Sequence, residues 1–86
     1  MNINELIKIV KSKIEAEIVM QDFKIEDKSF LHKNHKGNQK GMFHLKLIIK
    51  SEELKRLSKL KATKKIYKIL NLELKEHIHS IQILLS

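Results

Sequence analysis

The sequence predicts an α+β fold in the order α-β-β-α-α-β, a three-stranded mixed sheet covered by helices. Ile3, Ile7, Val10 and Ile14 recur at i, i+4, i+7 and i+11, which is one face of an amphipathic helix. Apolar and polar residues then alternate around Phe23 and Ile25, and again from Phe43 to Ile49, the period of a strand with one buried side. A helical stretch separates this second strand from a last alternating run at Ile81 and Ile83. A helical crossover of that kind favours parallel pairing with a right-handed connection, whereas the first two strands can pair antiparallel through the loop between them. Helices gathered on a mostly non-repeating sheet define the α+β class.

Each element has its own signal. Asn2 with Glu5 three residues later resembles a capping box, and the first helix runs from there to about Ala16. Asp22, Lys24 and Glu26 are the polar partners of Phe23 and Ile25 in the first strand. Lys28 to Gly41 is polar, holds both glycines and has no period, so it reads as a loop. In the second strand Phe43, Leu45, Leu47 and Ile49 alternate with His44, Lys46 and Lys50. Ser51 can cap a short helix whose first turn carries Glu52 and Glu53, favourable against the positive end of the helix dipole. Leu54, Leu57 and Leu60 are expected on its buried side. Thr63 can cap a longer helix with Ile66, Tyr67, Leu70 and Leu74 inward, and Ser80 and Gln82 alternate with Ile81 and Ile83 in the final strand. Phe43, Leu45, Leu47, Ile66, Leu70 and Ile81 should meet in one core.

Length and composition narrow the function classes. A chain of 86 residues is read as a single domain over 1–86, because folding buries only about 60% of its unfolded surface and leaves room for one core. No stretch approaches the roughly 18 apolar residues of a membrane span. Met1 to Val10 lacks the layout of a secretion signal, which makes the cytoplasm the expected location. With no cysteine, disulfides and thiol catalysis are excluded. No nucleophile stands at a plausible spacing from a base, and there is no phosphate-binding glycine loop, so the reading is non-enzymatic. The net charge of +8 rests on seventeen lysines and a single arginine, Arg56. Arginine is the residue that grips phosphate at two points, so this balance fits a general lysine bias better than a dedicated polyanion surface.

Grouped imidazoles are the main chemistry left. Three of the five histidines, His32, His35 and His44, fall within thirteen residues, and His77-Ile78-His79 opens the last apolar run. Neutral imidazole suits iron, zinc and copper. His32 and His35, three apart in a loop, either share a cation or stand solvated. Alternation places His79 on the side of Ile81 and Ile83, as a ligand or as a partly buried core imidazole. His44 and His77 fall on polar faces and read as structural or solvated.

The order Asp27-x-Ser29-x-x-His32, then His44-x-x-Leu47 running into Ser51, Ile66-Tyr67, Glu73-Leu74 and Ile78-His79-Ser80-Ile81 resembles the BolA family, in particular bacterial members with a His-x-x-His-x-Gly loop. The resemblance covers essentially the whole chain and is most specific from Asp27 to Ile83. It implies a BolA fold, which is similar to the type II K-homology domain. It also implies a heterodimer with a monothiol glutaredoxin that shares a bridged 2Fe–2S cluster. The glutaredoxin cysteine and glutathione would hold one side of the cluster. On this chain the implied ligands are His79, before the last strand, and His32 in the loop, with His35 as the alternative. Replacing thiolates with imidazoles raises a cluster's potential, as in Rieske centres. No cluster is expected on the isolated protein, and whether the chain forms a homodimer when alone is left open.

The alternative reading is a DNA-binding regulator of morphology or stress genes. It would use the K-homology-like topology and Lys55, Arg56, Lys59, Lys61, Lys64, Lys65 and Lys68 around the helix-helix junction. A K-homology domain clamps the nucleic-acid backbone with a Gly-x-x-Gly loop. Here Leu60-Lys61-Ala62-Thr63-Lys64 stands at that place without a glycine, and the resemblance's usual Arg-His-Arg is replaced by Ala62-Thr63-Lys64. Weak, sequence-independent DNA binding is the expectation.

Overall fold

The structure, a computed structural model, describes residues 2–29 and 43–86. Helix α1 spans Ile3–Glu17, strand β1 Asp22–Asp27 and strand β2 Phe43–Lys50. They are followed by α2 (Glu52–Lys55), α3 (Lys59–Ile69), α4 (Asn71–Glu76) and β3 (Ile78–Leu85). The sheet order is β1-β2-β3, with β1 antiparallel and β3 parallel to the central β2, as the crossover requires. The predicted α+β class and mixed sheet are therefore present. The expected third helix is divided at Leu70, which ends α3 with φ −98° and ψ 17° while its side chain stays fully buried.

The core lies between one sheet face and the helices. Register puts Ile25 and Ile83 beside Leu47, Phe23 and Leu85 beside Ile49, and Ile81 beside Leu45. Against them pack Leu6, Val10 and Ile14 of α1, Leu54, Ala62 and Ile66 of α2 and α3, then Leu70 and Ile78. Leu6 rather than Ile7 centres the α1 stripe, since Leu6, Val10 and Ile14 lie four apart and Ile7 is only half-buried. Of the expected core, Leu45, Leu47, Ile66 and Leu70 are buried, and Phe43 and Ile81 pack against it.

The polar devices at the helix starts are partly those expected. Asn2 Oδ1 accepts the Glu5 N–H at 2.9 Å, and Ser51 Oγ accepts that of Leu54 at 3.2 Å. Ser51 is also buried and donates to the Val19 carbonyl at 2.7 Å, tying the chain after α1 to the start of α2. The start of α3 differs from the sequence expectation. Ser58, not Thr63, is the cap, accepting the Lys61 N–H at 3.1 Å. The helix must begin early enough for Ala62 to share the buried stripe with Ile66, four residues on.

Three expected core residues are on the surface for a related reason. Helix α2 is a single turn ending at Lys55, so Leu57 and Leu60 lie beyond it. Leu60 stands on α3 roughly 200° around the axis from Ala62, at about 100° per residue, and is 64% exposed. Tyr67, next to the inward Ile66, is 44% exposed.

Candidate functional site: an imidazole pair at one end of the sheet

Both edges of the long loop arrive at the same end of the sheet. Asp27 closes β1, and its Oδ1 accepts the Ser29 N–H at 2.9 Å. Ser29 Oγ in turn accepts the His44 N–H at 3.1 Å, while the Lys28 N–H donates to the His44 carbonyl at 2.7 Å. On the return side, the Phe43 N–H donates to the His77 carbonyl at 2.9 Å, joining the start of β2 to the end of α4. His32 and His35, the expected loop ligands, lie outside the described residues.

The register between β2 and β3 is interrupted at this end. Phe43 pairs with Ile78 and the next residue, His44, pairs with Ser80, so His79 is an extra residue opposite no partner. Such a bulge resets the alternation of side chains. Ile78 faces the core, and so do Ile81, Ile83 and Leu85, while His79 and Ser80 are both exposed. The expectation that His79 shares the side of Ile81 and Ile83 is thereby overturned: counting back by twos from Ile81 fails across the inserted residue.

His79 instead meets His44. The two ring centroids are 5.0 Å apart with the planes tilted by 56°. His44 belongs to the open face of the sheet, on the side of Lys46, Ile48 and Lys50, yet only 4% of it is exposed. Its Nδ1 lies 2.6 Å from Ser80 Oγ. Of the two readings open for His44, structural or solvated, the structural one holds. His77 ends α4, its backbone N–H donating to the Glu73 carbonyl at 2.8 Å, and its Nε2 lies 3.8 Å from Glu76 Oε2. The feature that sequence reasoning missed is the contact between His44, Ser80 and His79. Its signal was present only as three polar residues in two separate strands.

The chemistry available here is that of one exposed imidazole beside a covered one. Among the described residues no three metal-ligating side chains converge. His79 fits a metal group as a single accessible imidazole donor at this end of the sheet. A shallow cleft of about 350 Å³ adjoins it, lined in part by Lys28, His44, Lys46, Ser80 and Gln82.

The lysine-rich junction is a separate region. Lys55 ends α2, Arg56 follows it, and Lys59, Lys61, Lys64, Lys65 and Lys68 lie along α3. All are exposed except Lys65, which is half-buried with its Nζ 3.8 Å from Glu53 Oε1. Lys65 and Lys68 join Lys13 of α1 around a groove of about 590 Å³ floored by Ala16 and Ile69. Lys13 is engaged there, 2.6 Å from Glu73 Oε2.

Comparison with known proteins agrees with this architecture. The protein named DNA-binding transcriptional regulator BolA of Haemophilus influenzae is 33% identical over 73 residues, which span 85% of this chain and 68% of that protein. The BolA domain of SufE1 from Arabidopsis thaliana superposes with a TM-score of 0.78 at 27% identity, covering 100% of this chain and 93% of that domain. BolA1 from the same plant shares the fold with a TM-score of 0.76 at 23% identity, over 92% of this chain and 87% of its own. The family described as BolA-like protein matches residues 14–86, the part that contains the whole sheet and the Asp27–Ser29–His44–His79 end, and the chain belongs to that family.

Proposed function

We propose that this BolA-like chain is a non-enzymatic adaptor that pairs with a monothiol glutaredoxin and co-ligates a 2Fe–2S cluster in cluster assembly, transfer or iron sensing. The observation that carries the reading is the placement of His79. The bulge turns its imidazole out to solvent at the end of the sheet where Ser29 and Phe43 anchor the loop. One accessible donor on a strand, joined by His32 or His35, suits a group whose remaining ligands come from a partner. The bound cluster would supply electron storage at a potential raised by imidazole ligation. In this reading the work of this chain is to present His79 and to supply a second imidazole, His32 or His35, beside it. Cytoplasmic residence belongs to the same proposal, and among the described residues no helix is long and apolar enough to cross a membrane.

The test is co-expression with a monothiol glutaredoxin, followed by absorption and visible circular dichroism of the mixed complex. His79→Ala should abolish the histidine-type spectrum. His32→Ala should weaken it, and His32→Ala with His35→Ala should match the loss of His79. A spectrum unchanged by His79→Ala would sink the cluster reading.

A DNA-binding regulator is the second reading, favoured by the name of the Haemophilus relative and by the exposed lysines of α2 and α3. If it holds, affinity falls steeply with salt, and the slope loses about one unit for each phosphate-contacting lysine removed. Nanomolar binding to one promoter sequence at physiological salt, lost when Lys61, Lys64 and Lys65 become glutamate, would place this reading first.

A further inference from the structure

His44 has the surroundings of a built residue on a face that is otherwise open. Its neighbours along that face, Lys46, Ile48 and Lys50, are half-buried or exposed. An imidazole that is only 4% exposed loses hydration, and its retention calls for bonds that replace it. On the ring, Ser80 Oγ lies 2.6 Å from Nδ1. The His44 backbone is held separately, its N–H donating to Ser29 Oγ and its carbonyl accepting from the Lys28 N–H. The Ser80 bond orients the ring, and the ring of His79 lies 5.0 Å away between centroids.

His79 needs such a neighbour. As the extra residue of the bulge it has no residue opposite it on β2. Exposed side chains without lateral contacts exchange rotamers freely, and a ligand presented that way must be ordered at the moment of binding. We propose that His44 is the positioning residue for His79: its ring, held by Ser80, supports the His79 ring laterally and sets the direction in which that imidazole is presented. This inference rests on the reading of His79 as a ligand. It assigns His44 no bond to the metal. The arrangement is an outer-shell one, in which a residue orients the donor while touching nothing that reacts.

The support can be measured in the full chain without any cluster. In ring-selective ¹H–¹⁵N spectra of the labelled protein, the His79 ring protons should show cross-relaxation with the His44 ring and shifts displaced from those of an exposed histidine. His44→Ala should return the His79 ring signals to solvent-exposed positions while the amide spectrum of β1 and β2 persists. His44→Phe keeps a flat ring without the Ser80 bond and should restore part of the displacement. Ser80→Ala should loosen the ring contact and leave the fold intact, which keeps the test open if His44→Ala fails to fold. In the mixed complex with a monothiol glutaredoxin, His44→Ala should weaken retention of the cluster by roughly tenfold, the lower end of outer-shell effects, and His44→Phe should recover part of it.

His79 ring signals indifferent to both His44→Ala and Ser80→Ala would overturn the proposal. So would a ring effect with no change in cluster retention, since the support would then position nothing of consequence. A spectrum of the complex unchanged by His79→Ala is a different failure: it removes the cluster reading, and the ring measurements on the free chain still report whether His44 supports His79.

Discussion

The two faces of the sheet are held by different physics. On the helix-covered face Leu45, Leu47 and Ile49 of β2 are at most 2% exposed, and every neighbour in register with Leu47 and Ile49 is aliphatic or aromatic. On the opposite face the same strand shows Lys46, Ile48 and Lys50, with Lys24, Glu26, Gln82 and Leu84 beside Lys46 and Ile48. Of the β2 residues on that face only His44 is buried, and its ring meets Ser80 and His79 there. The first face therefore stabilises the fold roughly in proportion to the area it buries. The second is free to vary along most of its length and is specific only at the end that carries the imidazoles. The hydrophobic core occupies one side of the sheet, and the imidazole pair marks one end of the other.

Perturbations on the covered side should dominate. Leu70→Ala removes a fully buried side chain at the junction of α3 and α4. It should cost roughly 2–5 kcal/mol in denaturant unfolding, and a cost below about 1 kcal/mol would mean that the junction is not part of the core. The next effect comes from the polar rim of that same side. Glu73 is buried with Oε2 bonded to Lys13 at 2.6 Å, and its Oε1 has no protein partner among the described residues. Lys13→Met keeps the aliphatic stem and strands the carboxylate, at a cost of about 1–3 kcal/mol. A neutral outcome would show that the half-exposed lysine contributes little, as surface pairs commonly do. Ser51→Ala removes both the cap on Leu54 and the bond to Val19, and should cost about 1–2 kcal/mol by the same unfolding measurement.

The smallest effect belongs to the open face. Desolvation pushes the Glu26 carboxyl upward, but the hydrogen bond and charge of Lys28, with the charges of Lys24 and Lys46, outweigh it and hold the group below its ordinary 4.5. A carboxylate lowered in the folded state contributes stability that is present above the unfolded value and lost as pH falls through the folded one. Glu26→Gln should therefore lower stability slightly at neutral pH and make the acid limb shallower, the two proteins converging at low pH where the carboxyl is protonated. An equal loss at neutral and acid pH would show that Glu26 acts through packing instead, and the contrast between the faces would narrow.

Much of this was legible in the chain. The helical period from Ile3 to Ile14, the alternation from Phe43 to Ile49, and the caps at Asn2 and Ser51 are short-range signals, since each depends on residues that are neighbours on the same element. The family motifs from Asp27 to Ile81 likewise needed only order and spacing. The exposure of Leu60 and Tyr67 was not legible, because it depends on where α3 begins, and Ser58 and Thr63 are chemically equal as caps until Ala62 has to face the core. Nor was the direction of His79. Alternation within β3 is interrupted by a residue that has no counterpart on β2, and a register shift is a property of two strands, not of one. The contacts of His44 follow from the same shift, which brings Ser80 opposite it and His79 against its ring. The sequence by itself determined which residues are apolar, at what period, and which imidazoles were available. The tertiary structure decided which imidazole is covered and which is presented, because that depends on pairing between segments 36 residues apart.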